Sequence, residues 1–289
     1  MQDSYTMDKA RIRASFDRAA RGYDAAAILQ QEVRRRMLAR LDYLKVAPLA
    51  ILDAGAGTGH ASRALAARYP GCHVLALDLA IGMLRMSAAN DAWWRRLVRR
   101  PQAAVCGDIE RLPLATASMD MIWSSLAIQW CNDLDSAFSG MARVLRPDGL
   151  LTFSTLGPDT LKELRTATAA DQEHVHVSRF IDMHDIGDAL VRNGFTAPVL
   201  DVENFVLTYD DVLGVMRDLK AIGAHNAAQG RRRGLVGKGF LQQLTDRYEK
   251  FRDDGKLPAT FEVVYGHAWK SPAADLPMGA SPIRIHRRA

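Results

Sequence analysis

Two features of this 289-residue chain predict an α/β fold built on a mostly parallel sheet. Between residues 49 and 154, short apolar runs alternate with helix-compatible stretches. That rhythm requires right-handed crossovers, with helices on both faces of the sheet. The first apolar run ends in Ile51-Leu52-Asp53-Ala54-Gly55-Ala56-Gly57-Thr58-Gly59, an acid at a strand end followed by three glycines at alternate positions. Glycines there permit positive φ and a close approach of backbone to ligand. The helix that follows offers unpaired N–H groups. In such sheets, ligands bind beyond the carboxyl ends of the strands.

The elements follow in order. Strands are predicted over 49–53, 73–78, 103–106, 120–124 and 150–154, and helices over 59–68, 81–90 and 135–145. Pro147-Asp148-Gly149 stops the last of these helices. Beyond residue 154 the regularity changes: helices are expected over 158–169 and 183–193, and strands over 199–208 and 260–269. About fifty residues of helical and Arg/Gly-rich sequence separate those two strands. An insertion of that size beside strand ends is a candidate lid or substrate module.

Composition narrows the class. Hydrophobic residues make up 48% of the chain, enough for a substantial core. No apolar run reaches the roughly 18 residues of a membrane span, and residues 1–13 lack the apolar core of a signal peptide. Cys72, Cys106 and Cys131 lie far apart without metal-ligand spacing, which reads as free thiols in a reducing cytoplasm. His174, His176 and His184 have no carboxylate or cysteine completing a ligand set, so no metal is expected. A net charge of +5 permits acidic partners without demanding nucleic acid. The segment 271–289, rich in Pro, Ser, Ala and Arg, reads as a disordered tail.

The glycine turn discriminates among nucleotides. A dinucleotide fingerprint needs a third glycine where this chain has His60, which disfavours an NAD-dependent enzyme. Asp78 ends the second strand, where a carboxylate accepts both hydroxyl hydrogens of a ribose. Gly107-Asp108-Ile109 follows the third strand, with Asp108 suited to an adenine amino group and Ile109 to the ring face. Met83 is placed to cover the other face. Ser124-Ser125-Leu126-Ala127-Ile128-Gln129-Trp130 follows the fourth strand, and Arg143-Val144-Leu145-Arg146-Pro147-Asp148-Gly149 leads into the fifth. In order and spacing, residues 50–154 resemble the class I S-adenosylmethionine-dependent methyltransferases.

The resemblance implies a Rossmann-like, seven-stranded, mostly parallel sheet whose last strand is antiparallel, with an N-terminal helical lid and a helical insertion before that strand. It implies S-adenosylmethionine as cofactor and S-adenosylhomocysteine as product, held by Asp53, Gly55, Gly57, Gly59, Asp78, Met83, Asp108, Ile109 and Ser125. Ser15-Phe16-Asp17-Arg18-Ala19-Ala20, followed by Tyr23-Asp24, resembles the segment that folds over the cofactor in small-molecule and acyl-group methyltransferases. Phe16 and Tyr23 are then expected to exclude water, with the Tyr23 hydroxyl at the reacting centre. The expected division is a lid over 1–44, a methyltransferase domain over 45–270 with its insertion at about 209–258, and the tail.

The second half narrows the resemblance. Leu156-Gly157-Pro158-Asp159-Thr160-Leu161-Lys162-Glu163-Leu164-Arg165, His176-Val177-Ser178-Arg179-Phe180, Leu219-Lys220-Ala221-Ile222-Gly223-Ala224 and Tyr265-Gly266-His267 resemble the malonyl-acyl-carrier-protein O-methyltransferases of biotin synthesis. This likeness covers roughly residues 7–270. Relatives of that family include a mitochondrial complex I assembly factor, so a non-methylating role and methylation of a quinone-like molecule stand as alternatives. The implied acceptor is the free carboxylate of a malonyl thioester on acidic acyl-carrier protein or on CoA. A malonyl carboxylate is ionised near neutral pH, so alignment and dryness matter more than a general base. A guanidinium suits the task of holding it: Arg179 is the first candidate, with Arg165 and Lys220 behind it. Arg231, Arg232, Arg233 and Lys238 are expected to steer the carrier. Neither nucleic acid nor membrane is expected as a partner.

Overall fold

The computed structural model of the chain describes residues 5–90, 103–171, 174–223, 228, 230 and 237–272. Seven strands form one sheet: β1 (Ala50–Ala54), β2 (His73–Asp78), β3 (Ala103–Cys106), β4 (Met119–Ser125), β5 (Leu145–Leu156), β6 (Phe195–Tyr209) and β7 (Leu257–Lys270). Their spatial order is β3-β2-β1-β4-β5-β7-β6. The first five run parallel, and β7 lies antiparallel to both β5 and β6. The strand order reverses between β1 and β4, and there the carboxyl ends open a crevice.

The central strands read as apolar runs because both faces are covered. Alternate residues serve the two sides. Ile51, Met121, Trp123 and Leu150 pack with Val33 and Met37 of helix α3 (Ile28–Arg40) and Leu65 of α4 (His60–Arg68). Leu52, Ile122, Leu151 and Phe153 pack against Phe138 and Met141 of α6 (Leu134–Val144) and Leu190 of α8 (Met183–Arg192). Helix α5 (Ile81–Asn90) follows β2.

Two expectations change in detail. The stop at Pro147-Asp148-Gly149 is a bulge inside β5: Leu145 already pairs with Met119, the register shifts, and Asp148 takes φ +60°. β6 begins at Phe195, four residues ahead of the expected start, because a bulge around Ala197 (φ +47°) lets pairing with β7 continue past Pro198. Proline lacks the N–H that an unbroken ladder needs.

The insertion between β6 and β7 contributes α9 (Val212–Ala221) and α10 (Lys238–Tyr248). Tyr248 of α10 is fully buried and donates its hydroxyl to the Pro258 carbonyl (2.9 Å). Helix α7 (Lys162–Thr168) is tied to β7 by the buried Glu163, which accepts from both the N–H (3.0 Å) and the hydroxyl (2.5 Å) of Thr260. Arg231, Arg232 and Arg233 lie outside the described residues, as do the side chain of Lys238 and the tail beyond residue 272. Among the described residues, no helix is long and apolar enough to cross a membrane.

Phe153 lies directly across from Gly266, and a Cβ added there would stand 2.3 Å from the Phe153 ring. Gly266→Ala therefore forces the ring or strand to move, at about 1–3 kcal/mol. Urea unfolding of the variant should show a lower midpoint with an unchanged slope.

Candidate functional site

The site is built around the turn after β1. The N–H groups of Gly55 and Ala56 both donate to the Leu77 carbonyl (2.8 and 2.9 Å), so the turn is fastened to β2. Gly55, Gly57 and Gly59 have φ of +85°, +53° and +79°. A Cβ on Gly55 would sit 2.3 Å from that of Ala127, and one on Gly59 would sit 1.9 Å from the Ser87 hydroxyl. At Gly57 a Cβ would meet nothing within 4 Å. Gly57 thus faces open space, while Gly59 serves packing and starts α4 from a left-handed residue.

That space is a cavity of about 410 Å³ at the carboxyl edge of the sheet. Tyr23, Gly55, Gly57, Asp78, Met83, Asp108, Ile109 and Ser125, all expected from the sequence, line it. Asp53, Gly59 and Arg179 are not on its wall. Asp53 lies beneath the turn, 1% exposed, and accepts a 2.5 Å hydrogen bond from Ser62 of α4. Arg179 is exposed and lines a separate outer pocket. Arg165 lines that outer pocket too and donates to the Pro158 and Thr160 carbonyls (2.6 and 3.1 Å). Of the cations considered for the acceptor, the cavity wall holds Lys220 of α9.

Electrostatics follow from burial. The Asp78 carboxylate accepts from Gly57 N–H and Ala80 N–H, each at 2.8 Å, which fixes its plane while leaving a lone pair on each oxygen. Burial pushes it up to about 6 despite those bonds. Burial pushes Asp53 further, to about 7; the Ser62 hydroxyl pulls it down and the charge of Asp78 adds to the rise. Tyr23 is raised by burial first and then by the charges of Asp78 and Asp24, so it keeps its proton. Cys131, also on the wall, is pushed up to about 12 by burial and remains a neutral thiol.

The N-terminal segment, α1 (Lys9–Ala19) and α2 (Tyr23–Ala26), closes the cavity from above. Met7 and Asn132 exchange two hydrogen bonds (2.7 and 3.0 Å). Lys9 pairs with Asp108 (3.1 Å) and with Glu110. Burial works to depress Lys9, but these partners outweigh it and its pKa rises. Phe16 packs edge-on against Trp130, with centroids 5.4 Å apart. Asp17 accepts from the N–H of Gly82 at the start of α5 (2.6 Å). Asp24 accepts from Thr58 (2.5 Å) and pairs with His60 (3.1 Å). Partial burial raises the Asp24 carboxyl, yet the Thr58 and His60 bonds prevail and lower it. His60, the residue that breaks the dinucleotide pattern, thus fastens the covering segment.

Sequence reasoning missed several groups. Gln30 and Gln129 line the cavity, and each has a buried Oε1 with no partner among the described residues. Arg34 stands in the field of Asp24, Tyr23 and Asp53, and burial lowers its pKa against their pull. It sits in a run of three arginines that reads as a solvated helix face, so charge alone gave no signal. Asp17 and Asp24 were legible as partners of Phe16 and Tyr23, each being the next residue in the chain. A strained backbone marks the far wall: Leu126 takes φ +49° and donates its N–H to Ser154 (3.0 Å to the carbonyl). Such a conformation at a non-glycine residue costs on the order of 1 kcal/mol, and here it turns Ala127 back onto Gly55. Among the described residues, no group of three or more His, Cys, Asp or Glu is arranged to hold a metal ion.

Comparison with known proteins extends this geometry. A family model described as "Methyltransferase domain" matches residues 52–153. A "Malonyl-[acyl-carrier protein] O-methyltransferase" of Methylovorus sp. (strain MP688) is 68% identical, covering 99% of this chain and 98% of that one. The protein of the same name from Gallionella capsiferriformans (strain ES-2) is 57% identical over 93% of each chain. Among solved structures, YcgJ from Bacillus subtilis superposes with a TM-score of 0.58 at 16% identity, covering 82% of this chain and 98% of that one, a likeness of fold.

The buried Asp53 generates a prediction. Its folded pKa of about 7 lies above the unfolded value of about 3.9. The folded state therefore holds an extra proton between those values, and stability falls as pH rises through that window, by a few kcal/mol at most. Asp53→Asn keeps an acceptor for Ser62 and removes the charge. Urea unfolding without ligand should show the variant stabilised at pH 8 and nearly unchanged at pH 4.

Proposed function

We propose, from the premise that this chain belongs to the malonyl-[acyl-carrier protein] O-methyltransferase family, that it esterifies the free carboxylate of a malonyl thioester carried on acyl-carrier protein. The identity of 68% along nearly the whole chain carries this reading. S-Adenosylmethionine, when bound, would supply the electrophilic methyl carbon, with S-adenosylhomocysteine as the product.

The residues present fit that cofactor. Open space before Gly57 gives room against the turn. The free lone pairs of Asp78 suit the ribose hydroxyls, and Met83 and Ile109 suit the faces of the adenine ring. The second oxygen of Asp108 suits the adenine amino group, since Oδ1 is taken by Lys9 and the Glu110 N–H. The orphaned amide oxygens of Gln30 and Gln129 want donors, which an ammonium group or an amide provides. Arg34 is off the cavity wall and contributes its positive field from beside Asp24 and Tyr23. Asp53 acts from below, by its field and by holding α4 through Ser62.

At the acceptor end, Ile12, Phe16, Leu29, Trp130 and Leu164 give a dry wall. Removing water strips solvation from a weakly nucleophilic carboxylate. Lys220 is our choice for its charge partner. It lines the cavity at its solvent-exposed edge, and the described residues show no partner for its ammonium. A single ammonium leaves one carboxylate oxygen free to attack, whereas a bidentate guanidinium engages both. Tyr23, protonated at all working pH values, orients that carboxylate by donating a hydrogen bond. Malonyl-CoA carries the same acyl end and should also be accepted.

Label from S-adenosylmethionine should pass to malonyl-carrier protein and not to acetyl-carrier protein, which has no free carboxylate. Label on both alike, or on neither, defeats the reading, and methylation of a carrier-free quinone precursor would replace it. Tyr23→Phe should lower kcat about tenfold or more while changing cofactor affinity little. Lys220→Ala should raise KM for malonyl thioesters about tenfold, with cofactor binding, measured by calorimetry, unchanged.

A further inference from the structure

Residues 176–180 form a partition. On one side, His176, Val177, Ser178 and Phe180 face the cavity; on the other, the same residues face an outer pocket of about 460 Å³. Two arginines border that pocket. Arg179 is exposed, and the described residues show no hydrogen bond or ion pair to its guanidinium. Arg165 is held in place through the Pro158 and Thr160 carbonyls, which leaves further N–H donors on its guanidinium. Among the described residues lining the pocket, Asp171 is the carboxylate. It is already engaged by His174 (3.1 Å) and His176 (2.9 Å), which hold it down at about 2.

Each side of the partition therefore carries a solvent-exposed cation with no partner among the described residues, Lys220 lining the cavity and Arg179 the outer pocket. A carrier-borne malonyl group has separate anions to match, a carboxylate at its tip and a phosphate at the far end of the pantetheine arm. A guanidinium matches phosphate geometry, and charge-assisted bonds of that kind are the strong ones. We infer that the outer pocket binds the phosphate of the pantetheine arm, with Arg179 as its principal partner and Arg165 as the second. The inference rests on the malonyl-thioester reading above. Arg179 then acts on the acceptor from its phosphate end.

Binding can be tested without turnover. With the protein saturated in S-adenosylhomocysteine, calorimetry would compare 4′-phosphopantetheine with pantetheine, identical but for the phosphate. The phosphorylated arm should bind about tenfold tighter. In Arg179→Ala that advantage should fall to about twofold or less, and Arg179→Lys should restore part of it. Equal affinity for the two arms in the native protein would overturn the inference. So would an advantage that survives in Arg179→Ala. A protein that shows the phosphate preference yet methylates no malonyl thioester would sink the functional reading and leave the pocket assigned.

Discussion

The fastening of residues 55–59 to β2 governs the rest of the site. Two N–H groups share the Leu77 carbonyl, and a third reaches Asp78, the next residue along the same strand. With the turn pinned, the approach of Ala127 to Gly55 and of Ser87 to Gly59 is possible only because no side chain intervenes. Gly57, left facing open space, becomes the floor of the cavity. Asp78 is both a wall of that cavity and the clamp on its floor, so one carboxylate lines the space and sets its shape. Keeping such a carboxylate in a desolvated place raises its pKa, a penalty that a bound ligand's donors relieve.

The covering segment obeys a different logic. Its attachments at Met7, Lys9, Asp17 and Asp24 are mostly polar, partly exposed and spread over distant positions. Pairs of that kind contribute up to about 1 kcal/mol each. Together they hold the segment over the cavity, and no single one of them dominates. A cavity that must admit a cofactor, exclude water and then release a product needs a cover of this marginal kind. The apolar contacts beneath it, Phe16 on Trp130 above all, supply dryness.

Residues 176–180 stand between the cavity and the outer pocket, and cations line both. Lys220 belongs to the helical insertion, whereas Arg165 and Arg179 belong to the stretch between β5 and β6. All three lie outside the 52–153 span that the general methyltransferase model matches. On the proposed reading, the sheet positions the methyl donor and the segments added to it select the acceptor.

The chain's own order determined the parallel sheet, the glycine turn and the acids at strand ends, because each depends on local periodicity or on the conformational freedom of one residue. Asp78, Asp108 and Ile109 were legible for that reason: a residue at a strand end has its place set by the strand. Tertiary structure alone decided which way the long side chains point. Asp53 turned to Ser62, Arg179 turned outward, Lys220 came to the wall, and Lys9 reached Asp108 across 99 positions of sequence. A charged side chain on a flexible stem is compatible with core edge, cavity or solvent, and its sequence neighbours do not choose among them. That choice is made by what packs around it, which for this protein means segments brought together from opposite ends of the chain.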